Sequence, residues 1–439
     1  MIQERTISRC IDPWYKLIDT DVQLNLVSAV DRGIRFPVVA AGRRSGKTLR
    51  FKRFIVKKAM KNANKKYFIA APTYNQVKKI YWDDIKILSM SRLYPHRPSE
   101  SDLIVFFPNG SEIHLIGLDK PERMEGIQWD GGGIDEIADI KKDAWAINIL
   151  PALNTVNTLN PEYRPFCWLF GVPGGLNHFY DMAEYAKTSN DKDWEYFHWK
   201  SDDILPQDVI ESLKRTMSIK QYRQEFEASF ETVTGRIYDD YNHLNTTTET
   251  INSNEVLHWT HDQNYSPLSS AIAVIRDTGV YYLDEIVLQS AISRQSAEEF
   301  VERYKGHTNK RVAIYGDPSG KIGEKHGHSS DYTEMEHVLR NNGWTFERRV
   351  EHVHPAIKDR QNAVRAHICN AKGDRQLFVN PSNAKYCHKG LSTVQTKEGS
   401  SFQEQETEYQ HITTAIGYMI HKLYPGDEYI GSASKIRLY

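Results

Sequence analysis

The residues best suited to chemistry in this chain begin with a short glycine- and lysine-containing segment, AAGRRSGKT, at positions 40–48. It lies between an apolar stretch, PVVAAG (37–42), and a basic amphipathic stretch (49–63), so it predicts a loop that joins a strand to a helix. Such a junction binds phosphate, because backbone N–H groups and the helix N-terminus point at the anion. We therefore predict an ATP site in this loop.

Each residue of the loop has an expected task. Lys47 would neutralise the β- and γ-phosphates, and Thr48 would hold Mg²⁺. The strict pattern has a glycine at position 41, where this chain has alanine, so the match is a variant with the glycine displaced by one position. The expected nucleotide-binding residues of the loop are Gly42, Ser45, Gly46, Lys47 and Thr48.

A carboxylate pair follows downstream, in the segment GGGIDE (131–136). Asp135 would join the Mg²⁺ shell, and Glu136 would orient or deprotonate the attacking water. The alternative for this pair is an exposed acidic turn. Two arginines inside the loop, Arg43 and Arg44, could supply a finger on the γ-phosphate, or at least one of them could bind DNA or an acidic neighbour.

The second half of the chain contains another candidate site. Asp262 precedes a predicted hairpin (269–288), and Asp317 ends a predicted strand in IYGDPSG. Two carboxylates at strand ends are suited to a pair of Mg²⁺ ions, which can stabilise both the attacking and the leaving oxygen of a phosphodiester. An aspartate before Pro-Ser-Gly is also a common turn former, so this assignment depends on the pairing with Asp262.

Composition limits the architecture around these residues. At 439 residues, 40% hydrophobic and 26% charged, the chain is an ordinary globular protein that should form two domains. The four cysteines lie far apart, which argues against a thiolate zinc site or a disulfide framework, and no apolar run is long enough to span a membrane. A net charge of −1 does not exclude a local basic groove.

Strand and helix patterns alternate in the first half of the chain, which indicates an α/β fold with a mostly parallel sheet. A polar, Thr/Asn-rich stretch then separates this half from a second set of strands and helices. We predict a P-loop domain over residues 1–235, a linker over 236–256 and a second domain over 257–439.

Five segments between residues 42 and 241 resemble the large terminase subunit of tailed bacteriophages. These are GRRSGKT followed by APTYNQVKKIYW (71–82), IDE, GVPGGLNHFYDM (171–182) and YRQEFEASFETVTGRIYDDY (222–241). The resemblance implies an ASCE-type P-loop ATPase that drives viral double-stranded DNA into a procapsid. Gln23 matches the family's adenine-contacting glutamine, with a helix-surface glutamine as the alternative. GVPGG has Gly171 and Val172 where the family usually has hydroxyl side chains, which puts γ-phosphate sensing there in doubt.

The second half resembles the family's nuclease domain, which has an RNase H-like fold. The matching segments are HDQNYSPLSSAIAV, YYLDE, YGDPSG, HSSDYTEM, IKDRQNAVRA and YQHITTAIGYMI. The resemblance implies that Asp262 and Asp317 bind metal. The family's third aspartate falls at Thr414, one helical turn from His411, which could still reach a metal.

Other side chains could replace the missing carboxylate, or contact DNA. Glu285 and Asp331 are the candidates for the third ligand, each with a purely structural role as the alternative. His326 and His328 could contact phosphate from a loop, although a solvated loop is the simpler expectation.

The function implied by the resemblance is ATP-driven DNA packaging plus metal-dependent endonucleolytic cutting. Its cofactors would be ATP and Mg²⁺, or Mn²⁺ at the nuclease site. Its partners would be double-stranded DNA, a portal protein and a small terminase subunit, in a ring on the procapsid in the host cell cytoplasm, with no membrane. Two alternatives remain: a P-loop translocase or helicase whose second domain binds DNA without cutting, and an assembly adaptor.

Overall fold

The computed structural model describes residues 13–17, 19–91, 94, 96–154, 163–175, 177–231, 235–263, 266–321, 330–397, 400 and 402–425. The chain forms two compact units: Met1–Pro206 with Arg223–Glu231, and Gln207–Tyr222 with Thr232–Tyr439. Within the described residues, no helix has the length and apolar character needed to cross a membrane.

The first unit is built on a seven-stranded sheet. Its elements are α1 (Asp21–Ala29), β1 (Phe36–Ala41), α2 (Lys47–Lys61), β2 (Lys66–Ala71), α3 (Tyr74–Leu88), β3 (Ile104–Phe106), β4 (Glu112–Gly117), β5 (Gly131–Asp135), α4 (Leu150–Leu153), β6 (Phe166–Gly171), α5 (His178–Thr188) and β7 (Trp194–Trp199). The strand order is β3-β4-β2-β5-β6-β1-β7, and only the β3–β4 pair is antiparallel. Strand β6 lies between β1 and β5, which is the inserted strand of an ASCE-type sheet.

Both faces of this sheet are covered, as expected for a parallel sheet. Along β1, Val39 and Ala41 belong to one hydrophobic cluster, while Val38 and Ala40 belong to the cluster on the other face. At one edge of this sheet, β3 and β4 form an antiparallel pair.

The glycines of β5 are explained by their neighbours. A Cβ at Gly131, Gly132 or Gly133 would overlap the ring of Phe166, Phe68 or Phe51, respectively. Large aromatic side chains from the adjoining elements occupy the space that valine or leucine would fill in an ordinary buried strand.

The second unit is built on a six-stranded sheet with the order β12-β11-β8-β9-β10-β13. Its elements are α6 (Gln207–Thr216), β8 (Leu257–Asp262), β9 (Leu268–Arg276), β10 (Gly279–Leu288), α8 (Ser293–Arg303), β11 (Arg311–Gly316), α9 (Asp331–Asn341), β12 (Thr345–Arg348), α10 (Ile357–Ile368), β13 (Leu377–Val379), α11 (Lys385–Thr393) and α12 (Gln410–Leu423), and α7 (Ile219–Glu225) is divided between the two units. Strands β8, β9 and β10 form an antiparallel meander, and β11 and β12 extend it in parallel on the side of β8. This is the strand order of an RNase H-like domain.

Helices cover both faces of the second sheet. Helix α12 packs Ile412 and Ile416 into the cluster that contains Ala271 and Ala313, while Phe300 of α8 packs in the cluster on the other face. Small alanines on one face of the sheet allow α12 to approach the strands closely.

The segment 236–256, expected to be a linker, contributes to the second unit. Ile237, Tyr238 and Tyr241 are buried in its core, and the side-chain amide of Asn245 donates to the carbonyls of Ile368 and Leu377 at 2.9 Å. Part of this polar-looking stretch is therefore packed against the domain that follows it, whereas the domain limits at 235 and 257 stay predictions.

Candidate functional site

The predicted phosphate loop connects β1 to α2, as the pattern requires. Gly46 has a positive φ of 84°, and a Cβ at this position would overlap the Arg50 guanidinium. A Cβ at Gly42 would overlap Ser201 and the Phe226 carbonyl. The two glycines therefore allow the loop to turn tightly against its neighbours, which explains why the displaced glycine is needed at position 42.

The structure brings four of the predicted residues together at the start of α2. The Lys47 ammonium is 3.8 Å from Glu136 Oε1 and is almost fully buried. The Thr48 hydroxyl donates to Asp135 Oδ2 at 3.2 Å. A lysine, a hydroxyl and two carboxylates thus surround one end of the helix, which is the donor set that a metal-bound triphosphate requires.

Burial controls the protonation of Asp135. Its carboxylate is 3% exposed and accepts a second hydrogen bond from the Tyr81 hydroxyl at 2.6 Å. Desolvation, reinforced by the neighbouring charge of Glu136, raises the pKa of Asp135 to about 6. A divalent cation would favour the ionised form, so this carboxylate fits a metal ligand.

Glu136 is held in an unusual backbone conformation at the end of β5. Its φ and ψ are both 51°, a left-handed conformation that is uncommon for residues other than glycine. The backbone N–H of Val172 donates to Glu136 Oε2 at 3.2 Å. A Cβ at Gly171 would lie 3.1 Å from Glu136 Cα. The glycine that departs from the family's hydroxyl-bearing segment therefore leaves room for the Glu136 backbone.

The two arginines of the loop differ in their surroundings. The Arg43 side chain is 56% exposed and its Nε lies 3.1 Å from Glu225 Oε2. Arg44 has a positive φ of 59°. The ion pair of Arg43 supports the alternative that an arginine of the loop binds an acidic neighbour. A finger role for either arginine stays a prediction.

Gln23 is fully buried, which contradicts the alternative of a surface glutamine. Its Nε2 donates to the Ser45 carbonyl at 3.2 Å and its Oε1 accepts from the Thr20 N–H at 2.9 Å. Gln23 therefore supports the phosphate loop, and its predicted contact with adenine stays a prediction.

Two buried groups near this site were missed from the sequence. Arg50 pairs with Asp19 at 2.8 Å, and the hydroxyl of Tyr81 reaches Asp135 as described above. Arg50 could have been predicted from its spacing, because it lies one turn after Lys47 on the same helix.

The second candidate site lies where two parallel strands end. Gly316 of β11 is in register with His261 of β8, and the Asp317 N–H donates to the His261 carbonyl at 3.2 Å. Asp262 and Asp317 therefore lie at the same sheet edge on adjacent strands. Asp262 was expected only to precede a hairpin, and it is in fact the last residue of the central strand β8.

Each of these aspartates has a histidine beside it. His411 Nδ1 lies 3.0 Å from Asp262 Oδ2. His354 Nδ1 lies 3.6 Å from Asp317 Oδ1, and His354 was not predicted as a site residue. The two carboxylates and His411 carry the oxygen and nitrogen donors that divalent ions take.

The candidates for a third carboxylate have other partners. Glu285 accepts from the N–H groups of Tyr386 at 2.8 Å and Cys387 at 2.9 Å, so it caps the N-terminus of α11 instead of facing a metal. Asp331 accepts from the Ser293 hydroxyl at 2.7 Å, at the exposed start of α9.

Thr414 is also engaged. Its hydroxyl oxygen accepts from an Arg360 N–H at 3.5 Å. His326 and His328 lie outside the described residues. Within the described part of the chain, no three or more His, Cys, Asp or Glu side chains are grouped so that they could hold a metal ion. The described residues therefore do not by themselves assemble a metal-ligand set, and metal binding by Asp262, Asp317 and His411 stays a prediction.

Parts of the chain are similar to known proteins. Residues 38–242 match the family model described as "Terminase large subunit, T4likevirus-type, N-terminal". The large terminase subunit of Escherichia phage T5 is 27% identical over 231 residues, which is 50% of this chain and 50% of that protein. The match thus spans about half the length of this curated relative.

Solved structures share the fold over nearly the whole chain. The large terminase of a thermophilic bacteriophage superimposes with a TM-score of 0.59 at 16% identity, covering 93% of this chain and 99% of that one. The same protein in complex with ADP gives a TM-score of 0.57 at 15% identity, with 93% and 100% covered. Residues 38–242 thus carry the match to the terminase large subunit family model, and the chain as a whole shares the fold of a large terminase.

Proposed function

We propose that this chain hydrolyses ATP in its first unit to translocate double-stranded DNA into a procapsid, and cuts DNA in its second unit. The observation that carries the proposal is the placement of Lys47, Thr48, Asp135 and Glu136 around one helix N-terminus. The curated relative and the structures from the thermophilic bacteriophage bear the terminase name, and one of the latter contains ADP.

The charge of each residue at the ATP site sets its role. Lys47 draws the β- and γ-phosphates to the helix N-terminus, where backbone N–H groups complete their contacts. Thr48 and Asp135 would hold the Mg²⁺ that accompanies ATP, and that ion neutralises phosphate charge. Glu136 accepts a proton from the attacking water, and the hydrogen bond from the Val172 N–H holds its other oxygen in place.

Lys47 and Glu136 lie within ion-pair distance, 3.8 Å apart, and neutralise each other in part. A bound γ-phosphate competes for the Lys47 ammonium and so leaves Glu136 available for water. This exchange ties the activation of the base to the arrival of the triphosphate.

The nuclease would act at the ends of β8 and β11. By family resemblance, Asp262, Asp317 and His411 would bind a divalent ion there, Mg²⁺ or Mn²⁺, which would supply positive charge for phosphodiester cleavage. The buried position of Asp262 keeps it oriented for that task. By family resemblance, the partners are a portal protein and a small terminase subunit, in a ring assembled in the host cytoplasm.

A second candidate function is a translocase that binds DNA without cutting it. The observation that favours it is Thr414, which carries no charge and is already bonded to Arg360. Plasmid cleavage in Mn²⁺ separates the two functions, because only the nuclease relaxes supercoiled DNA in a metal-dependent manner.

Replacement of Lys47 tests the ATPase. Lys47→Ala should abolish DNA-stimulated ATP hydrolysis without unfolding the chain, because the loss is one of charge at the phosphates. The matched control is Lys61→Ala, at the exposed C-terminal end of the same helix, which should hydrolyse ATP normally. Near-normal turnover by Lys47→Ala would exclude the phosphate-loop assignment.

A further inference from the structure

The two peptide groups that lead into α2 are held by side chains through their carbonyl oxygens. The Ser45 carbonyl accepts from Gln23 Nε2 at 3.2 Å and from Trp199 Nε1 at 3.2 Å. The Gly46 carbonyl accepts the helical hydrogen bond from the Arg50 N–H at 3.1 Å, and it also accepts from Arg50 Nη1 at 3.4 Å. Both carbonyls are therefore fixed by contacts from outside the phosphate loop.

The direction of these carbonyls sets the direction of the N–H groups that follow them. A trans peptide group is planar, so its N–H points away from its C=O. When the carbonyls of Ser45 and Gly46 are fixed, the N–H groups of Gly46 and Lys47 are directed to the opposite side. The first N–H groups of a helix have no partner within the helix, and in such a loop they bind phosphate. Contacts on the carbonyls therefore orient the phosphate-binding donors.

Arg50 packs directly on the backbone of the loop. The residue is 5% exposed, and its guanidinium occupies the space that a Cβ at Gly46 would need. Gly46 has a φ of 84°, which also favours glycine. The glycine thus serves two purposes, because it permits the turn and lets the arginine reach its carbonyl.

Asp19 holds the guanidinium in this position. Its Oδ1 accepts from Arg50 Nε at 3.0 Å and lies 2.8 Å from Arg50 Nη2. These two nitrogens are on one side of the guanidinium, so Nη1 is left to face the Gly46 carbonyl. Burial lowers the pKa of Arg50, and the charge of Asp19 opposes this shift. The carboxylate therefore both orients the buried cation and compensates its charge.

One short segment, residues 19–23, reaches both carbonyls. Asp19 precedes Thr20, the N-cap residue of α1, and Gln23 lies in the first turn of that helix. The Thr20 N–H donates to Gln23 Oε1 at 2.9 Å, which closes this turn. Asp19, through Arg50, and Gln23 directly are thus held together against the loop.

We propose that Arg50, held by Asp19, is a positioning residue of the ATP site, which fixes the Gly46 peptide group so that the Lys47 N–H faces the phosphates. The inference rests on the proposed ATP site and adds to it a residue that acts through the backbone. Its effect falls on the binding of phosphate groups, with or without a metal ion. It does not depend on the base of the nucleotide, because the Gly46 peptide group belongs to the phosphate loop.

The experiment measures the affinity of the full chain for ADP by isothermal titration in EDTA, and for pyrophosphate by competition with ADP. Arg50→Gln should weaken both ligands by the same factor, about tenfold, a typical effect of one hydrogen bond to a charged group. The two factors should agree because both ligands bind through phosphates. Wild-type affinity for both ligands, or a loss confined to one of them, would overturn the inference.

Asp19→Asn is a milder variant, so the test does not depend on the folding of Arg50→Gln. The Asp19 side chain is 28% exposed, and an amide oxygen can still accept from Arg50. Asp19→Asn should weaken both ligands by about threefold, because a charge-assisted hydrogen bond becomes a neutral one. Asp19→Asn/Arg50→Gln should bind as Arg50→Gln does, since Asp19 acts through Arg50. Unchanged affinity in Asp19→Asn, or a further loss in the double variant, would contradict the proposal.

The matched control is Arg35→Gln, which removes another buried arginine of the same unit. Arg35 pairs with Asp193 at 3.3 Å and donates to the Pro165 carbonyl at 2.9 Å. It precedes β1, so it lies at the opposite end of this strand from the phosphate loop. Arg35→Gln should be less resistant to denaturant but should keep both affinities. An equal loss of affinity in Arg35→Gln would mean that general destabilisation weakens binding, and it would refute the positioning role.

Failure of the proposed ATP site gives a different result. If wild type bound neither ligand, or if Lys47→Ala bound both as tightly as wild type, the site itself would be misassigned. Binding that Lys47→Ala weakens and Arg50→Gln leaves unchanged would overturn the positioning role alone.

Discussion

Replacement of Glu136 by glutamine separates the chemistry of the ATP site from its architecture. The amide has the same size as the carboxylate, and its oxygen can still accept from the Val172 N–H, which now donates at 3.2 Å. What it loses is the negative charge near Lys47, 3.8 Å away, and the ability to accept a proton. Nucleotide binding should therefore persist, or tighten slightly as Lys47 becomes fully available to phosphate.

Hydrolysis should fall by about 10²–10⁴-fold, the usual contribution of a positioned general base. At about 1.4 kcal/mol for each factor of ten, this corresponds to roughly 3–5 kcal/mol of transition-state stabilisation. The assay is single-turnover ATP hydrolysis in the presence of DNA, with nucleotide affinity measured separately by titration calorimetry. The control is Glu122→Gln, an exposed glutamate of the same unit, which should hydrolyse ATP at the wild-type rate.

A Glu136→Gln rate within about threefold of wild type, a barrier change under about 1 kcal/mol, would show that another residue activates the water. The backbone offers an independent check. Because Glu136 has a φ of 51°, replacement by glycine should relieve about 1 kcal/mol of strain. Glu136→Gly should therefore be inactive but more resistant to denaturant than Glu136→Gln, and lower resistance would mean that no strain is stored there.

Three further predictions concern charge and capping. Asp262→Asn and Asp317→Asn should each eliminate Mn²⁺-dependent cleavage while ATP hydrolysis is retained. Cleavage that survives both changes would show that the metal site lies at other residues. Glu285→Gln should lower the free energy of unfolding by about 1–3 kcal/mol, because it weakens the cap of α11. It should not change the number of Mn²⁺ ions bound, and the loss of an ion would show that Glu285 is a metal ligand. Because burial raises the pKa of Asp135 to about 6, Mg²⁺-nucleotide affinity should be flat above that pH and should fall as the pH drops below it, where a proton competes with the metal; an affinity independent of pH between 5 and 7 would contradict this.

The raised pKa of Asp135 also has a consequence for stability. A carboxyl group whose pKa is higher in the folded chain than in the unfolded chain favours folding in its protonated form. In the absence of metal, this contribution is present below pH 4 and is lost as the pH rises through about 6. Mg²⁺ should remove this dependence, because the ion stabilises the ionised carboxylate.

The sequence alone determined the local elements that carry the chemistry. Apolar runs bounded by glycine and proline predicted β1 and β11 correctly, and the hairpin predicted at 269–288 is formed by β9 and β10. The order of the motifs also indicated two α/β units. These features are local, because periodicity and turn chemistry act over a few residues.

Elements with weak or mixed patterns were missed. Strand β7 (WEYFHW) combines aromatic and polar side chains. Strand β8 (LHWTHD) is buried on both faces, so its sequence shows no alternation of apolar and polar residues. Their pairing with β1 and β9 decides their conformation, so only the sheet reveals them. The packing of the segment 236–256 was hidden for the same reason, since Asn245 looks solvent-exposed until its partners in the second core are seen.

Only the tertiary structure decided which charged residues lie at the ends of β8 and β11. The sequence brought Asp262, Asp317 and His411 together through family resemblance, and it offered Glu285 and Asp331 as equal substitutes at the third position. Contacts between residues far apart in the chain resolve that choice, because they assign the two carboxylates to the N-terminus of α11 and to Ser293. They also place Arg360 against Thr414, which no spacing rule could reveal, since electrostatic partners are selected by the packing of α10 on α12.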